Sequence, residues 1–348
     1  MTMKKCIFCL LILLFVSFAF GFVPDYWPTN GWRYDDSYDF QELEAYINRI
    51  FWKELHSLII IKDGYVVYEN YFKENGSQVS PDDLHALHSA TKSINSLLVG
   101  IMIDNGYIPS EHIQVMEIFS DYIVENSSKE KYMIELRHVL ENTCGFEWNE
   151  WAYSYADPRN IYNKFISSPD RVQFVLNLPI ADAPGEKFVY NTGASHLVIA
   201  AIQRITGKSA LEFAEENLFH PLGITEVIWP KDSQGINKGA GLNMIPKDMA
   251  KIGLLMLTEG IWEGKQLISK DWIEKSLQKM NRVSTNVYFG YHWWIYEHQN
   301  IEIISAYGYN DQRIYIIPSK SLVMVTTAAI SSEFSLKLLE DYVLPSFE

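Results

Sequence analysis

The sequence predicts an α+β fold: an antiparallel β-sheet flanked by helices, joined to a mainly helical lobe. Three observations carry this. Two β-rich runs, residues 56–61 and 65–72, flank Lys62-Asp63-Gly64, and an Asp-Gly pair in that position is a strong hairpin signal. Four more short β-rich runs, 290–296, 302–307, 313–318 and 322–327, follow on brief connections near the end, the pattern of an antiparallel meander. Between the two sets, apolar residues recur at helical spacing, separated by Pro- and Gly-bearing loops. The simplest assembly puts hairpin and meander in one sheet lobe (residues 22–85 and 285–348, approximately). Residues 86–284 then form the helical lobe, with a cleft between the two.

Residues 1–21 read as a signal peptide. Lys4-Lys5 supplies the charged start, residues 6–20 the apolar stretch, and Ala19-Phe20-Gly21 the small residues a signal peptidase needs. The expected protein is exported, to the periplasm, the cell envelope or the medium. The alternative is an uncleaved anchor, because the apolar run to Val23 approaches a membrane span; only then would the protein hold to a membrane. Removing the segment takes the formal charge from −14 to −16, since Lys4 and Lys5 leave and no acid does. So acidic a chain is a poor partner for nucleic acid or an anionic membrane. Cys6 and Cys9 leave as well, so Cys144 stands alone and no internal disulfide is expected.

Residues 23–37, with Pro, Gly, Trp and Tyr, read as an ordered arm, and 40–51 as a helix. After the hairpin come helical patterns at 89–104, 136–142, 171–178, 194–206, 210–218, 246–258 and 270–278. Residues 334–342 close the chain as a helix.

The chemistry centres on Ser89-Ala90-Thr91-Lys92. A serine at a helix start with a lysine three residues on puts both side chains on one face. A desolvated amine there can take the hydroxyl proton, and the helix N-terminus adds positive potential where an oxyanion would form. Ser-x-x-Lys also occurs at Ser128/Lys131 and Ser276/Lys279. Those copies sit among charged neighbours and read as a loop or helix start and a solvated helix face. Only Ser89 opens an apolar helix, so only Lys92 is expected to be desolvated.

A second segment, Pro184-Gly185-Glu186-Lys187-Phe188-Val189-Tyr190-Asn191-Thr192-Gly193, is a turn, an extended piece, then a tyrosine before a helix. Tyr190 can relay a proton if a neighbouring ammonium lowers its pKa. A third, residues 305–313, lies on and just after a predicted strand. There Gly308 would let substrate approach the backbone, and an edge strand would offer N–H groups to an oxyanion.

In that order, Ser-x-x-Lys, Pro-Gly-x-x-Phe-x-Tyr and a late strand glycine resemble the serine β-lactamase and penicillin-binding protein superfamily. Within it they resemble the class C β-lactamase-like esterases and amidases, including the nylon-oligomer hydrolases. His56-Ser57-Leu58, Leu136-Arg137-His138-Val139-Leu140, Gly241-Leu242-Asn243-Met244 and Gly290-Tyr291-His292-Trp293-Trp294 agree, over roughly residues 50–330. The resemblance implies a β-lactamase/transpeptidase-like fold and makes Ser89 the nucleophile of an acyl-enzyme. Lys92 is then its proton acceptor, and Tyr190 the partner base and later acid. The N–H groups of Ser89 and Tyr309 become the oxyanion hole. Gly308, Tyr309, Thr192 and Trp151 are the expected substrate contacts.

Two departures shape the substrate. Thr192 stands where many β-lactamases have Asn, and a hydroxyl can still hold Lys92. Ala306-Tyr307-Gly308 stands where Lys-Thr-Gly is usual, so the cation that attracts a β-lactam or peptide carboxylate is missing. The expected substrate is therefore a small neutral ester or amide. The rivals are a β-lactamase or D-alanyl peptidase of the envelope, and a non-catalytic envelope binding protein. No cofactor or metal is expected. The nine histidines form no zinc-hydrolase cluster, there is no P-loop or dinucleotide fingerprint, and Gly193-Ala194-Ser195-His196-Leu197 fails Gly-x-Ser-x-Gly at its last position.

Overall fold

Strands β1 (Leu55–Lys62) and β2 (Tyr65–Tyr71) form the predicted hairpin, with Asp63 at φ 52° and Gly64 at φ 88° in the turn. Positive φ at both residues matches the right-handed twist of the flanking strands. The computed structural model describes residues 22–49, 54–74, 76–330 and 333–347. The expected signal segment, and the end of the helix expected at 40–51, lie outside them. Helix α1 (Gln41–Arg49) precedes the hairpin.

The meander has six strands: β3 (Asn281–Ser284), β4 (Val287–Phe289), β5 (Trp294–His298), β6 (Ile301–Gly308), β7 (Gln312–Ile317) and β8 (Leu322–Ala328). The first two escaped the sequence reading because Asn281–Ser284 is polar and three residues are too short a run to register. All eight strands form one antiparallel sheet, in the order β3-β4-β5-β6-β7-β8-β1-β2, so hairpin and meander join through β8 and β1 as expected. The apolar run of β1 is continuous because both faces are covered. Ile59 and Ile61 enter the large core on the helical side, while Leu58 and Ile60 enter a smaller core with Leu43 and Ile47 of α1 and Leu338 and Leu339 near the C-terminus.

Helix α2 (Thr91–Asp104) is buried on every side up to Met102, which is why it reads as apolar all round. At Gly100 a Cβ would stand 2.2 Å from the ring of Trp272, so the glycine lets the two elements touch. Helix α3 (Thr192–Thr206) packs beside α2, and helix α4 (Pro246–Leu257) lies across β7 and β8. A Cβ at Gly253 would stand 2.5 Å from Val323.

One expectation fails. Strand β6 is internal, not an edge, lying between β5 and β7. Yet β5 pairs with it only from Trp294↔Ser305 to His298↔Ile301, because the chain turns at Gly290, whose N–H bonds Trp293 O at 2.9 Å. Ala306, Tyr307 and Gly308 run past the end of β5, and that stretch of β6 behaves as a local edge beside the cleft.

Candidate active site

Ser89 sits in a one-turn 3-10 helix, His88–Ala90, that leads into α2. The chain reaches it through the short strand His85–Ala86, paired with Asn243–Met244, and Leu87 N donates to Leu242 O at 2.9 Å. His88 is held at φ 47°, an uncommon conformation for a residue with a side chain. Gly308 makes room for this turn: a Cβ there would meet Leu87 O at 2.0 Å. The close approach that the glycine permits in this structure is to Leu87 O, in the turn that carries Ser89. Both Gly308 and Tyr309 line the cleft.

Lys92, one turn on, is buried, and its Nζ donates to Tyr190 Oη at 2.7 Å and Thr192 Oγ1 at 2.8 Å. Burial drives its pKa down from 10.5 to about 8, against the opposing charge of Glu150. Tyr190 behaves otherwise than expected. Burial, and then the charge of Glu150, raise its hydroxyl above the ordinary value, with a hydrogen bond from Ser89 opposing them. Tyr190 is therefore a phenol near neutrality, and Lys92 is the member of the pair that loses its proton.

Tyr190 and Thr192 are set by the start of α3. Asn191 between them caps the helix, its side chain accepting from Ala194 N at 2.8 Å. Its own N–H bonds Asn142 Oδ1 at 3.0 Å. The asparagine is spent on the cap, and the threonine faces the lysine. The residue that sequence reasoning missed is Glu150. It is buried and takes four hydrogen bonds: from Trp148 Nε1 at 2.7 Å, Tyr155 Oη at 2.8 Å, and Thr192 N and Oγ1, both at 2.7 Å. Because the single hydroxyl proton of Thr192 goes to Glu150, that hydroxyl can only accept from Lys92. No spacing signals this, since Glu150 lies in an aromatic loop well before Thr192 in sequence.

Ser89, Tyr190, Thr192, Trp151, Gly308 and Tyr309 line one cavity of about 460 Å³. Tyr155, Tyr162, Trp294 and Tyr307 complete an aromatic wall. Trp151 is 57% exposed and stacks on Tyr190 at 5.3 Å, while Tyr309, 52% exposed, meets His88 edge-on. Trp148 and Trp293 belong to the core. Arg313 does not face the cleft. It is buried, bonds Asp311 and Tyr296 at 3.0 and 2.9 Å, and stacks 3.2 Å from the ring centre of Tyr307.

The other two Ser-x-x-Lys copies also differ from expectation. Ser276 is buried, its hydroxyl bonded to Ile273 O, with only Lys279 at the surface. Lys131 is buried as fully as Lys92, its ammonium reaching from the Ser128-capped turn to the carbonyls of Glu125 and Leu176. Among the described residues no group of three His, Cys, Asp or Glu is arranged to hold a metal, and no helix is long and apolar enough to cross a membrane.

The sequence pattern of the family described as Beta-lactamase matches residues 56–342. A 6-aminohexanoate-dimer hydrolase of Paenarthrobacter ureafaciens is 23% identical over 270 residues, covering 71% of this chain and 66% of that protein. A lovastatin esterase of Penicillium rubens is 21% identical over 197 residues, covering 51% of this chain and 48% of the esterase. The chain thus spans about half to two thirds of the length of these curated relatives. In fold it is similar to EstCE1, described as a hydrolase with promiscuous acyltransferase activity, with a TM-score of 0.71 at 13% identity over 88% of this chain and 97% of that one.

Proposed function

The chain belongs to the beta-lactamase family, and from that premise we propose that it is an exported serine hydrolase cleaving a small carboxylic ester or amide with a neutral scissile region through an acyl-enzyme on Ser89. The observation that carries the reading is Lys92. It is a buried amine, lowered to about 8, bonded to a tyrosine and a threonine that line the same cavity as a serine one helical turn away.

Ser89 Oγ attacks the carbonyl carbon and its proton passes to neutral Lys92, directly or through the Tyr190 hydroxyl. The N–H groups of Ser89 and Tyr309 receive the oxyanion, Tyr309 following the end of β6 that β5 leaves free. Collapse breaks the bond to the leaving oxygen or nitrogen, which takes the proton back from Lys92 by way of Tyr190. Water then adds to the acyl carbonyl, the same pair accepts its proton, and Ser89 leaves with it. Thr192 and Glu150 hold Lys92 in place throughout.

The aromatic wall and Ala306 support a neutral scissile region, and the names of the relatives include both an amide and an ester hydrolase. Export rests on the residue order in 1–21. The test is intact mass after incubating wild type and Ser89→Ala with a p-nitrophenyl ester, a penicillin and a fluorophosphonate. Adduct or turnover on wild type alone is the expected outcome. No adduct with any of the three on folded wild type would overturn the assignment and favour a binding protein.

A further inference from the structure

Behind the cleft lies a second cavity of about 140 Å³ that shares Tyr162, Thr192 and Ala240 with the first. Its character is opposite. Where the cleft is walled by aromatic rings, this pocket is lined by Arg171 and Lys238, and among the described residues no carboxylate lines it. The acids around it are turned elsewhere: Asp170 caps its own helix, accepting from Gln173 N at 2.7 Å, Asp232 pairs with His196 at 3.1 Å, and Glu150 is taken up by Thr192, Trp148 and Tyr155.

Arg171 is the informative group. Its guanidinium stands 5.5 Å from the ring centre of Phe165, and one Nη donates to Ile166 O at 2.8 Å. Its Nε–H is buried and has no partner. A guanidinium offers five N–H donors in a planar fork, and with its Nε closed off the group meets the pocket through its Nη end, where hydrogens remain for a ligand. A carboxylate fits that fork side by side.

We propose that this pocket receives a carboxylate at the far end of the substrate's acyl arm, with Arg171 as its principal partner and Lys238 on the facing wall. The inference rests on the serine-hydrolase reading and sharpens its substrate. The scissile region is neutral, while the arm that passes between Tyr162 and Ala240 ends in an anion. Direction follows from the chemistry: Tyr190, which returns the proton to the leaving group, stacks on Trp151 and neighbours Trp294. The leaving group belongs on that side and the acyl arm on the other. The cation absent at Ala306 is thus replaced from a different wall, in a chain whose overall negative charge would otherwise repel an anionic substrate.

The experiment compares kcat/KM for the monoethyl esters of glutaric, adipic, pimelic and suberic acids with the ethyl esters of alkanoic acids of matched length. The expected result is a preference for the half-ester at one chain length, of about tenfold to a hundredfold, as for one charge-assisted hydrogen-bonded pair. Arg171→Gln should collapse that ratio, and Arg171→Lys should keep part of it, since the charge stays while the fork is lost. Lys238→Gln, away from the Phe165 packing, should lower the ratio less; it supplies the test if the Arg171 variants do not fold. Ser89-dependent turnover of neutral esters with no half-ester preference at any length would overturn this inference alone. A preference that survives in both Arg171→Gln and Lys238→Gln would overturn it too. Absence of Ser89-dependent turnover on every ester would instead overturn the reading beneath it.

Discussion

Lys92 and Lys131 are two lysines in the same four-residue pattern, both buried, both with a pKa lowered by desolvation, and they do opposite things. Lys92 is bonded to two hydroxyls that line a cavity. Lys131 is bonded to two backbone carbonyls, Glu125 O at 3.0 Å and Leu176 O at 2.7 Å. A hydroxyl can pass a proton on or take one back; a peptide carbonyl can only accept a hydrogen bond. Burial alone therefore makes a strut, and burial beside exchangeable protons at a cavity wall is the setting the proposed base needs.

The sharpest way to break the comparison is to replace each lysine by methionine. Lys92→Met should lower kcat/KM on a p-nitrophenyl ester by about a thousandfold or more, the scale seen when one member of a nucleophile–base unit is lost. Lys131→Met should leave kcat/KM within about twofold while lowering unfolding free energy by about 1–3 kcal/mol, because one buried and one part-buried carbonyl lose their donor. Denaturant unfolding and steady-state kinetics on the same preparations separate the outcomes. An activity loss in Lys131→Met matching that of Lys92→Met would end the distinction.

Thr192→Val tests the hydroxyl rather than the amine. It removes an acceptor from Lys92 and a donor from Glu150, leaving two buried charged groups each short of a partner. The expected loss in kcat is about tenfold to a hundredfold, largely restored in Thr192→Ser. Full activity in the valine variant would make Tyr190 the sole support of Lys92.

The role of Glu150 is read from pH. Lys92 must be neutral to accept the Ser89 proton, so kcat/KM should fall on the acid side as pH drops through about 8. The Glu150 charge favours the ammonium and so holds that pKa up against burial. Removing the charge in Glu150→Gln should move the acid limb to lower pH, whatever its effect on the maximum. A limb that stays put or moves to higher pH would show that Glu150 acts only as a hydrogen-bonded post.

The same contrast explains what the sequence made legible. Hairpin, meander and buried helix are local, written in Asp63-Gly64, in strand-length apolar runs and in the apolar stretch after Ser89. The ordered segments around Ser89, Tyr190 and Gly308 named the residues that meet at the cleft. What stayed hidden depends on contacts distant in sequence. Lys131 looked solvated because its neighbours are charged, yet it is buried with its ammonium bonded to Leu176 O, far along the chain. Glu150 carries no spacing signal, and only the folded chain brings it to Thr192. Gly308 was singled out for the approach of substrate, and its nearness to Leu87 O depends on a turn that no local pattern around the glycine reveals.

The mildest test moves from the buried floor of the site to its exposed rim. Trp151 is over half exposed, yet it lies nearly parallel to Tyr190, at 14° between ring planes. An exposed indole stacked on Tyr190 gives a flat apolar leaving group a surface to slide against, and one such aromatic contact is worth about 0.5–1.5 kcal/mol. Trp151→Ala should therefore raise KM for aryl esters by about threefold to tenfold, leave kcat nearly unchanged, and change the KM of methyl esters little. If kcat fell and KM did not, the ring's task would be to fix the orientation of Tyr190, and the boundary between rim and floor would lie one residue further out than drawn here.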